Sequence, residues 1–252
     1  TNVNSVCPLV TKVHHEAKKF SEEQHEIIYV GHKNHDEAIG AMGVAPDSMK
    51  LIESVHEIEK MDLKSNKVAL LAQTTLAMSD WEPIMIKAKE KYPYLKMPRK
   101  NDLCYATTNR QEAIINISNK VDLVIVVGSS TSSNTNALVT SLNNIGKKAY
   151  RVETTDDINN INLKNKDIAI TAGASAPDHI VQNIVEYLNP KNTVFYTDTN
   201  ETEYFPLPVE LRTNIKNLTN FISSMFPENT IKSAYGIKND KSWSATEALN
   251  SL

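Results

Sequence analysis

The chain alternates between short apolar runs and longer amphipathic stretches. Runs of five to eight residues, such as "VALLA" and "VDLVIVVG", have the length of buried strands. Between them, apolar positions recur every three or four residues, as in "CPLVTKVHHEAKKF", which is typical of a helix that packs on one face. Strands that alternate with helices predict an α/β fold with mostly parallel sheets.

The pattern occurs twice along the chain. Each copy begins with a cysteine and a helix-like run, followed by a strand that ends in glycine, a polar loop and a second helix. Gly31 and Gly128 each lie 24 residues after the cysteine of their copy, Cys7 or Cys104. Matched offsets of this kind predict two pseudo-repeated αβα domains. We therefore expect domains at residues 1–100 and 101–212 and a C-terminal tail at 213–252.

The polar loop of the second copy is "GSSTSSNTN". Its eight residues from Ser129 to Asn136 are all Ser, Thr or Asn, and we expect a helix to begin near Ala137. One such residue suffices to cap a helix, so the surplus of hydroxyls and amides at a helix N-terminus suits a phosphate or diphosphate. No lysine motif of the P-loop type is present.

The polar loop of the first copy, "GHKNHDEAIG", has His35 and Glu37 where the second copy has hydroxyls and an amide. Each is most often a solvated loop residue, but histidine can donate hydrogen bonds to a diphosphate and glutamate can transfer protons. Thr74 and Ser175 add hydroxyls after later strands. Because the carboxyl ends of parallel strands share one edge of a sheet, we expect these groups and the second polar loop to converge on one site.

The two cysteines are too few for a disulfide framework. Each precedes a predicted helix, and a helix N-terminus stabilises the thiolate, the form that binds metal. Zinc sites usually need paired cysteine spacing, which is absent here, whereas an iron–sulfur cluster accepts single thiolates from distant segments. Two thiolates are an incomplete set, so two buried, inert cysteines remain an alternative.

Composition excludes two classes of partner. The net charge of −3 argues against a nucleic-acid-binding surface. No apolar run approaches the roughly 20 residues of a membrane-spanning helix. We therefore expect no nucleic-acid and no membrane partner. Because the first residue is Thr1, we also expect a piece of a longer product.

Several segments together resemble the LytB-type 4-hydroxy-3-methylbut-2-enyl diphosphate reductase family. They run in order from Cys7 to about Arg212: "CPLVTKVH", "GHKNHDEAIG", "AQTTL", "CYATTNRQEA", "VVGSSTSSNTNAL", "TAGASAPD" and "FPLPVELR". The resemblance implies two of three similar α/β lobes around a central [4Fe-4S] cluster. It implies an oxidoreductase that dehydroxylates (E)-4-hydroxy-3-methylbut-2-enyl diphosphate to isopentenyl and dimethylallyl diphosphate, the last step of the methylerythritol phosphate route to isoprenoids.

The resemblance also assigns roles to individual residues. It implies cluster ligation by Cys7 and Cys104, proton delivery by Glu37, and a hydroxyl near the oxygen end of the substrate from Thr74. Diphosphate and other substrate contacts are implied for His35, Ser132, Ser133, Asn134 and Ser175. The chain has His-Asp-Glu at 35–37 where the family usually has His-Pro-Glu. It also lacks the family's first domain, which holds the third cysteine ligand and two further histidines.

The implied electron donor is ferredoxin or flavodoxin, and the implied location is a plastid-type, apicoplast-like organelle in a eukaryote or otherwise the cytoplasm. Three hypotheses follow. The chain is a reductase without its first domain, a diphosphate-binding relative without a complete cluster, or a structural α/β protein whose cysteines are merely buried.

Overall fold

A computed structural model describes residues 6–63, 65–98, 102–196 and 209–225. The chain divides into two compact units, Thr1–Thr199 and Asn200–Leu252. The helices and strands are α1 (Pro8–Glu22), β1 (Glu26–Val30), α2 (Asp36–Val44), β2 (Met49–Ile52), α3 (Val55–Lys60), β3 (Val68–Ala72), α4 (Met78–Lys91), α5 (Tyr105–Ser118), β4 (Leu123–Val127), α6 (Ser133–Asn144), β5 (Ala149–Val152), a 3₁₀ helix (Thr155–Asn160), β6 (Ile168–Ala172), α7 (Asp178–Leu188) and α8 (Val209–Met225). Of the predicted C-terminal tail, residues 226–252 lie outside the described residues.

The first unit contains two three-stranded parallel sheets with the orders β2-β1-β3 and β5-β4-β6. They confirm the α/β class with parallel sheets. The repeat extends to single hydrogen bonds, because the amide of Gly31 donates to the carbonyl of Ile52 and the amide of Gly128 donates to that of Val152, both at 3.0 Å. The two sheets fall on either side of the predicted boundary near residue 100 and lie together in the first unit.

Helices cover both faces of the first sheet, which explains its continuous apolar strands. One face packs under α1 through Val13, Ala17 and Phe20, and the other packs under α4 through Trp81 and Ile84. Fully burying a side chain of this size stabilises the fold by about 1.5–3 kcal/mol. The packed sheet holds the carboxyl ends of β1 and β3 in place. Among the described helices, none combines the length and the apolar character needed to cross a membrane.

The helix after the second polar loop begins earlier than expected. It starts at Ser133 rather than near Ala137, with Ser132 as the N-cap. The Ser132 hydroxyl accepts the amide of Thr135 at 3.3 Å. Gly128, at the end of β4, has a φ of +149°, and a Cβ there would clash with the Thr135 hydroxyl. Glycine therefore lets the first turn of α6 approach the strand closely, and half of the polar run becomes helical.

Candidate active site

Glu37, Thr74 and Cys104 form one hydrogen-bonded unit from three separate segments. Glu37 lies in the first turn of α2, and Thr74 follows the end of β3. Oε1 of Glu37 accepts the amide of Thr74 at 2.7 Å, and Oε2 accepts its hydroxyl at 3.0 Å. The carbonyl of Thr74 in turn accepts the amide of Cys104 at 2.7 Å. The predicted acid, hydroxyl and cysteine are thus brought together.

The environment of Glu37 favours retention of a proton. Burial raises the pKa of its carboxyl, while the two hydrogen bonds from Thr74 oppose this shift and the nearby charge of Asp102 adds to it. A carboxyl with a raised pKa can give up a proton closer to neutral pH than an exposed glutamate can. Glu37 is therefore a positioned carboxyl that can act as a general acid.

His35 is the N-cap of α2, and its ring orientation defines its hydrogen-bonding role. Nδ1 accepts the amide of Glu37 at 3.2 Å, which places the proton of the neutral ring on Nε2. Burial, followed by the neighbouring His32, lowers the pKa of His35, and Asp36 opposes this. His35 therefore offers a neutral N–H donor rather than a fixed positive charge.

Ser133 connects the second copy to the first. Gln73 is fully buried, and its Nε2 donates to Ser133 Oγ at 2.9 Å and to Thr75 Oγ1 at 3.0 Å. The Thr75 hydroxyl also donates to Ser133 Oγ at 2.8 Å. At its other end, Gln73 Oε1 accepts the amide of His32 at 2.9 Å. The two polar loops therefore meet through Gln73.

Asn134 is held by protein groups on both sides. Its Nδ2 donates to Thr107 Oγ1 at 2.6 Å, and its Oδ1 accepts the amide of Ala174 at 3.2 Å. This anchors the turn that carries the exposed Ser175. Asn134 therefore positions the neighbouring loop in this structure, and a direct contact with substrate stays a prediction for Asn134, Ser175 and the capping Ser132.

The two cysteines are free thiols at helix N-caps. Cys7 precedes α1 and is exposed, and Cys104 precedes α5 and is partly buried. Neither side chain makes a capping hydrogen bond, so each sulfur is available to another ligand. Within the described ranges, no group of three or more His, Cys, Asp or Glu side chains is arranged to hold a metal ion. Ligation of an iron–sulfur cluster by Cys7 and Cys104 stays a prediction.

Lys12, Glu16 and Asp102 form a cluster of ionisable side chains. The Asp102 side chain is 2% exposed, and its Oδ1 accepts Lys12 Nζ at 3.0 Å, while Glu16 Oε2 lies 3.8 Å from the same nitrogen. Burial and then the charge of Asp102 raise the pKa of Glu16 to about 7, against the opposing charges of Lys12 and Lys19. Burial also raises the pKa of Asp102, although Lys12 and the amide of Ala72 oppose this. Burial therefore favours the protonated form of Glu16, whose pKa lies near neutrality.

Several of these residues were not among the sequence-predicted site residues, including Gln73, Thr75, Asp102 and Thr107. Gln73 and Thr75 flank Thr74 in "AQTTL", where a polar run directly follows an apolar strand. That polar run could have indicated Gln73 and Thr75 as site residues from the sequence alone. For Asp102, the only signal was a carboxylate two residues before Cys104.

Glu16 is expected to make the protein less stable as the pH rises from about 4.5 to 7. Its pKa is about 7 in the folded state against a reference of 4.5, so folding favours the protonated form. The stabilisation is complete below the unfolded pKa and is lost as pH rises through the folded pKa. Glu16→Gln should remove this loss, worth about 2 kcal/mol above pH ~7, after allowance for a side chain that is 22% exposed.

Urea unfolding of the wild type and Glu16→Gln across this pH range measures the effect. Glu22→Gln, which changes an exposed carboxylate on the same helix, is the matched control and should follow the wild type. A stability difference between wild type and Glu16→Gln that does not vary with pH would contradict the assignment of the proton to Glu16.

Comparison with known proteins identifies the family. The family model described as LytB protein matches residues 1–189. A 4-hydroxy-3-methylbut-2-enyl diphosphate reductase of Wigglesworthia glossinidia brevipalpis is 43% identical over 201 residues, covering 78% of this chain and 62% of that protein. The reductase of the same name from Ruthia magnifica subsp. Calyptogena magnifica is 36% identical over 217 residues, covering 84% and 71%.

A solved structure agrees with this result. The E-1-hydroxy-2-methyl-but-2-enyl-4-diphosphate reductase from Plasmodium falciparum superposes with a TM-score of 0.75 at 36% identity, covering 84% of this chain and 69% of that one. The chain thus spans 62% of the length of the Wigglesworthia relative and 71% of that of the Ruthia relative. The matched residues 1–189 include every residue of the candidate site. The chain belongs to the LytB protein family.

Proposed function

We propose that this chain forms two lobes of an iron–sulfur reductase that converts (E)-4-hydroxy-3-methylbut-2-enyl diphosphate to isopentenyl and dimethylallyl diphosphate. The observation that carries the proposal is the Glu37–Thr74–Cys104 unit, in which the Glu37 carboxyl accepts the amide and the hydroxyl of Thr74 and the backbone of Cys104 is bound to that of Thr74. Membership in the LytB family and the names of the relatives support the same activity.

The reaction requires two electrons and two protons, because the substrate hydroxyl leaves as water and the allylic carbon framework gains a hydrogen. A cluster held by Cys7, Cys104 and a third ligand from elsewhere supplies the electrons when bound. Glu37 donates the proton that turns the hydroxyl into a good leaving group. Thr74 holds both carboxyl oxygens of Glu37 in place and directs that proton.

The diphosphate is bound by neutral donors. His35 offers its Nε2–H, and the N-terminus of α6 offers the hydroxyls of Ser132 and Ser133. Asn134 follows these serines and accepts the amide of Ala174, the neighbour of Ser175. The first turn of the 12-residue helix α6 adds its N-terminal amides and a favourable dipole. Such donors bind an anion without a lysine or arginine, which explains the absence of a P-loop lysine.

Other features of the proposed function come from the family resemblance. They are ferredoxin or flavodoxin as electron donor, and a plastid-type organelle or the cytoplasm as the location.

The test is a reductase assay of the full-length gene product with the purified hydroxylated diphosphate and a chemically reduced dye as electron donor. Formation of both isopentenyl and dimethylallyl diphosphate is the expected result, and Cys104→Ser should abolish it. Substrate binding without either product would reject the reductase proposal.

A diphosphate-binding protein without a complete cluster is the second candidate. It is favoured by the lack of a group of three metal-binding side chains within the described residues, together with the count of two cysteines in the chain. A colourless, iron-free full-length product that still binds the diphosphate would support it.

Binding of inorganic diphosphate to the chain is expected to weaken about tenfold or more in His35→Asn, because a hydrogen bond to a charged group is lost. Asparagine is a good N-cap, so α2 keeps its capping group while the longer reach of the imidazole Nε2–H is removed. Isothermal titration calorimetry measures the change. The control is His56→Asn on α3, where the histidine side chain is 68% exposed. Unchanged affinity in His35→Asn would remove His35 from the binding site.

A further inference from the structure

Asp102 connects three segments that lead to the proposed functional residues. Its Oδ1 accepts Lys12 Nζ of α1 at 3.0 Å, and its Oδ2 accepts the amide of Ala72, the last residue of β3, at 3.1 Å. The carboxylate is almost wholly buried, and both of its oxygens are occupied. Asp102 therefore links α1 and β3 to the segment that enters α5.

The short segment from Asp102 to Cys104 is anchored to the end of β3 at two points. One is the bond between Asp102 Oδ2 and the amide of Ala72, and the other is the 2.7 Å bond from the amide of Cys104 to the carbonyl of Thr74. Since both anchors lie on the same strand end, Cys104 cannot shift relative to Thr74 without strain on both bonds. The Glu37 carboxyl accepts the amide of Thr74, so its position is also fixed relative to this strand end.

Lys12 connects Asp102 to the helix that follows Cys7. It lies five residues after Cys7 on α1, and the helix is continuous from its first turn, where the amide of Thr11 donates to the carbonyl of Cys7 at 3.0 Å. A helix transmits position along its axis because its hydrogen bonds close every turn. The ion pair therefore joins the helix that begins at Cys7 to the segment that ends at Cys104, 97 residues later.

Stability alone is a weak reason for a buried ion pair. Desolvation of two charges offsets much of their attraction, and well-packed apolar residues often stabilise a fold as well or better. Directional bonds from one carboxylate to two different elements, however, set a geometry that apolar contacts do not. We propose that Asp102, through its ion pair with Lys12, is a positioning residue that holds Cys104 and Thr74 in place relative to the helix that Cys7 begins.

This role rests on the proposed function, which makes Cys104 and Thr74 part of the working site. The test measures thiol reactivity in the absence of substrate, so its outcome is independent of reductase activity. In a Cys7→Ser background, Cys104 is the remaining cysteine, and its alkylation by a maleimide reports how firmly it is held.

Asp102→Asn and Lys12→Met are each expected to raise the alkylation rate of Cys104 about tenfold, because loss of either partner frees the same segment to open locally. The double variant should react no faster than the single variants, since both changes remove one shared interaction. Lys12→Arg retains a cation that can pair with Asp102 and should restore a rate close to that of the parent.

Ile184→Ala is the matched control for general destabilisation. Ile184 is buried on α7 in the core of the second sheet, and the change lowers the unfolding midpoint without touching the ion pair. The proposal is overturned if Asp102→Asn raises Cys104 reactivity no more than Ile184→Ala does, or if the effects of the two single variants multiply fully in the double variant. Should Asp102→Asn fail to fold, the contrast between Lys12→Met and Lys12→Arg decides the question.

Discussion

Glu37→Gln in the full-length gene product is expected to lower turnover by about 10²–10⁴-fold, the usual contribution of a positioned proton donor. Glutamine has the shape of glutamate and can still bind the amide and hydroxyl of Thr74, so KM should change little. The measurement is kcat and KM with the hydroxylated diphosphate. In the wild type, kcat should fall as pH rises through the pKa of Glu37, which burial places above its ordinary value.

Glu82→Gln on α4 is the control, because it removes an exposed carboxylate that is not among the candidate site residues. Its kcat should match that of the wild type. If Glu37→Gln also turned over at the wild-type rate, Glu37 would have to be regarded as a structural residue that caps the Thr74 turn.

Anaerobic treatment of the 252-residue chain with iron and sulfide is expected to leave less than about a tenth of the iron that the Wigglesworthia reductase, of whose length the chain spans 62%, retains. Cys7 and Cys104 can anchor two corners of a cluster, and the remaining iron atoms would lack protein ligands and exchange with solvent. The measurements are the iron content and the visible absorption after desalting.

The Wigglesworthia reductase should retain its iron under the same treatment, and Cys104→Ser in the gene product should lose both iron and turnover. A stable cluster with sustained turnover in the 252-residue chain would show that two thiolates are sufficient. That outcome would also remove the main support for the second candidate function.

The central strands were predictable because parallel sheets covered on both faces select continuous apolar runs. "VALLA" and "LVIVV" correspond to β3 and β4, and every residue in both is buried. The edge strands β2 and β5, "MKLI" and "AYRV", have mixed exposure and only four residues each, so they carried no clear pattern. The start of α6 was misplaced because Ser and Asn disfavour helices intrinsically, and tertiary contacts with β4 override that tendency.

The positions of candidate site residues were predictable where a polar residue closely follows a strand, as at Thr74, or where a residue begins each copy of the repeat, as at Cys7 and Cys104. Asp102 and Gln73 were not predictable in the same way. The roles of these two residues depend on partners 90 and 60 residues away, Lys12 and Ser133, and neither pairing leaves a local pattern. Burial of a polar side chain is decided by the folded contacts rather than by its immediate neighbours.

The matched hydrogen bonds of Gly31 and Gly128 are what the duplication of a gene segment would leave behind. The two copies differ in their polar loops, because the first carries Glu37 and the second carries a run of hydroxyls and amides. Because each loop is supported by its own sheet, a substitution in one loop can change its chemistry with little disturbance of the other. The hydrogen bond between Gln73 and Ser133 joins the two copies. Substitutions of either residue should therefore be poorly tolerated.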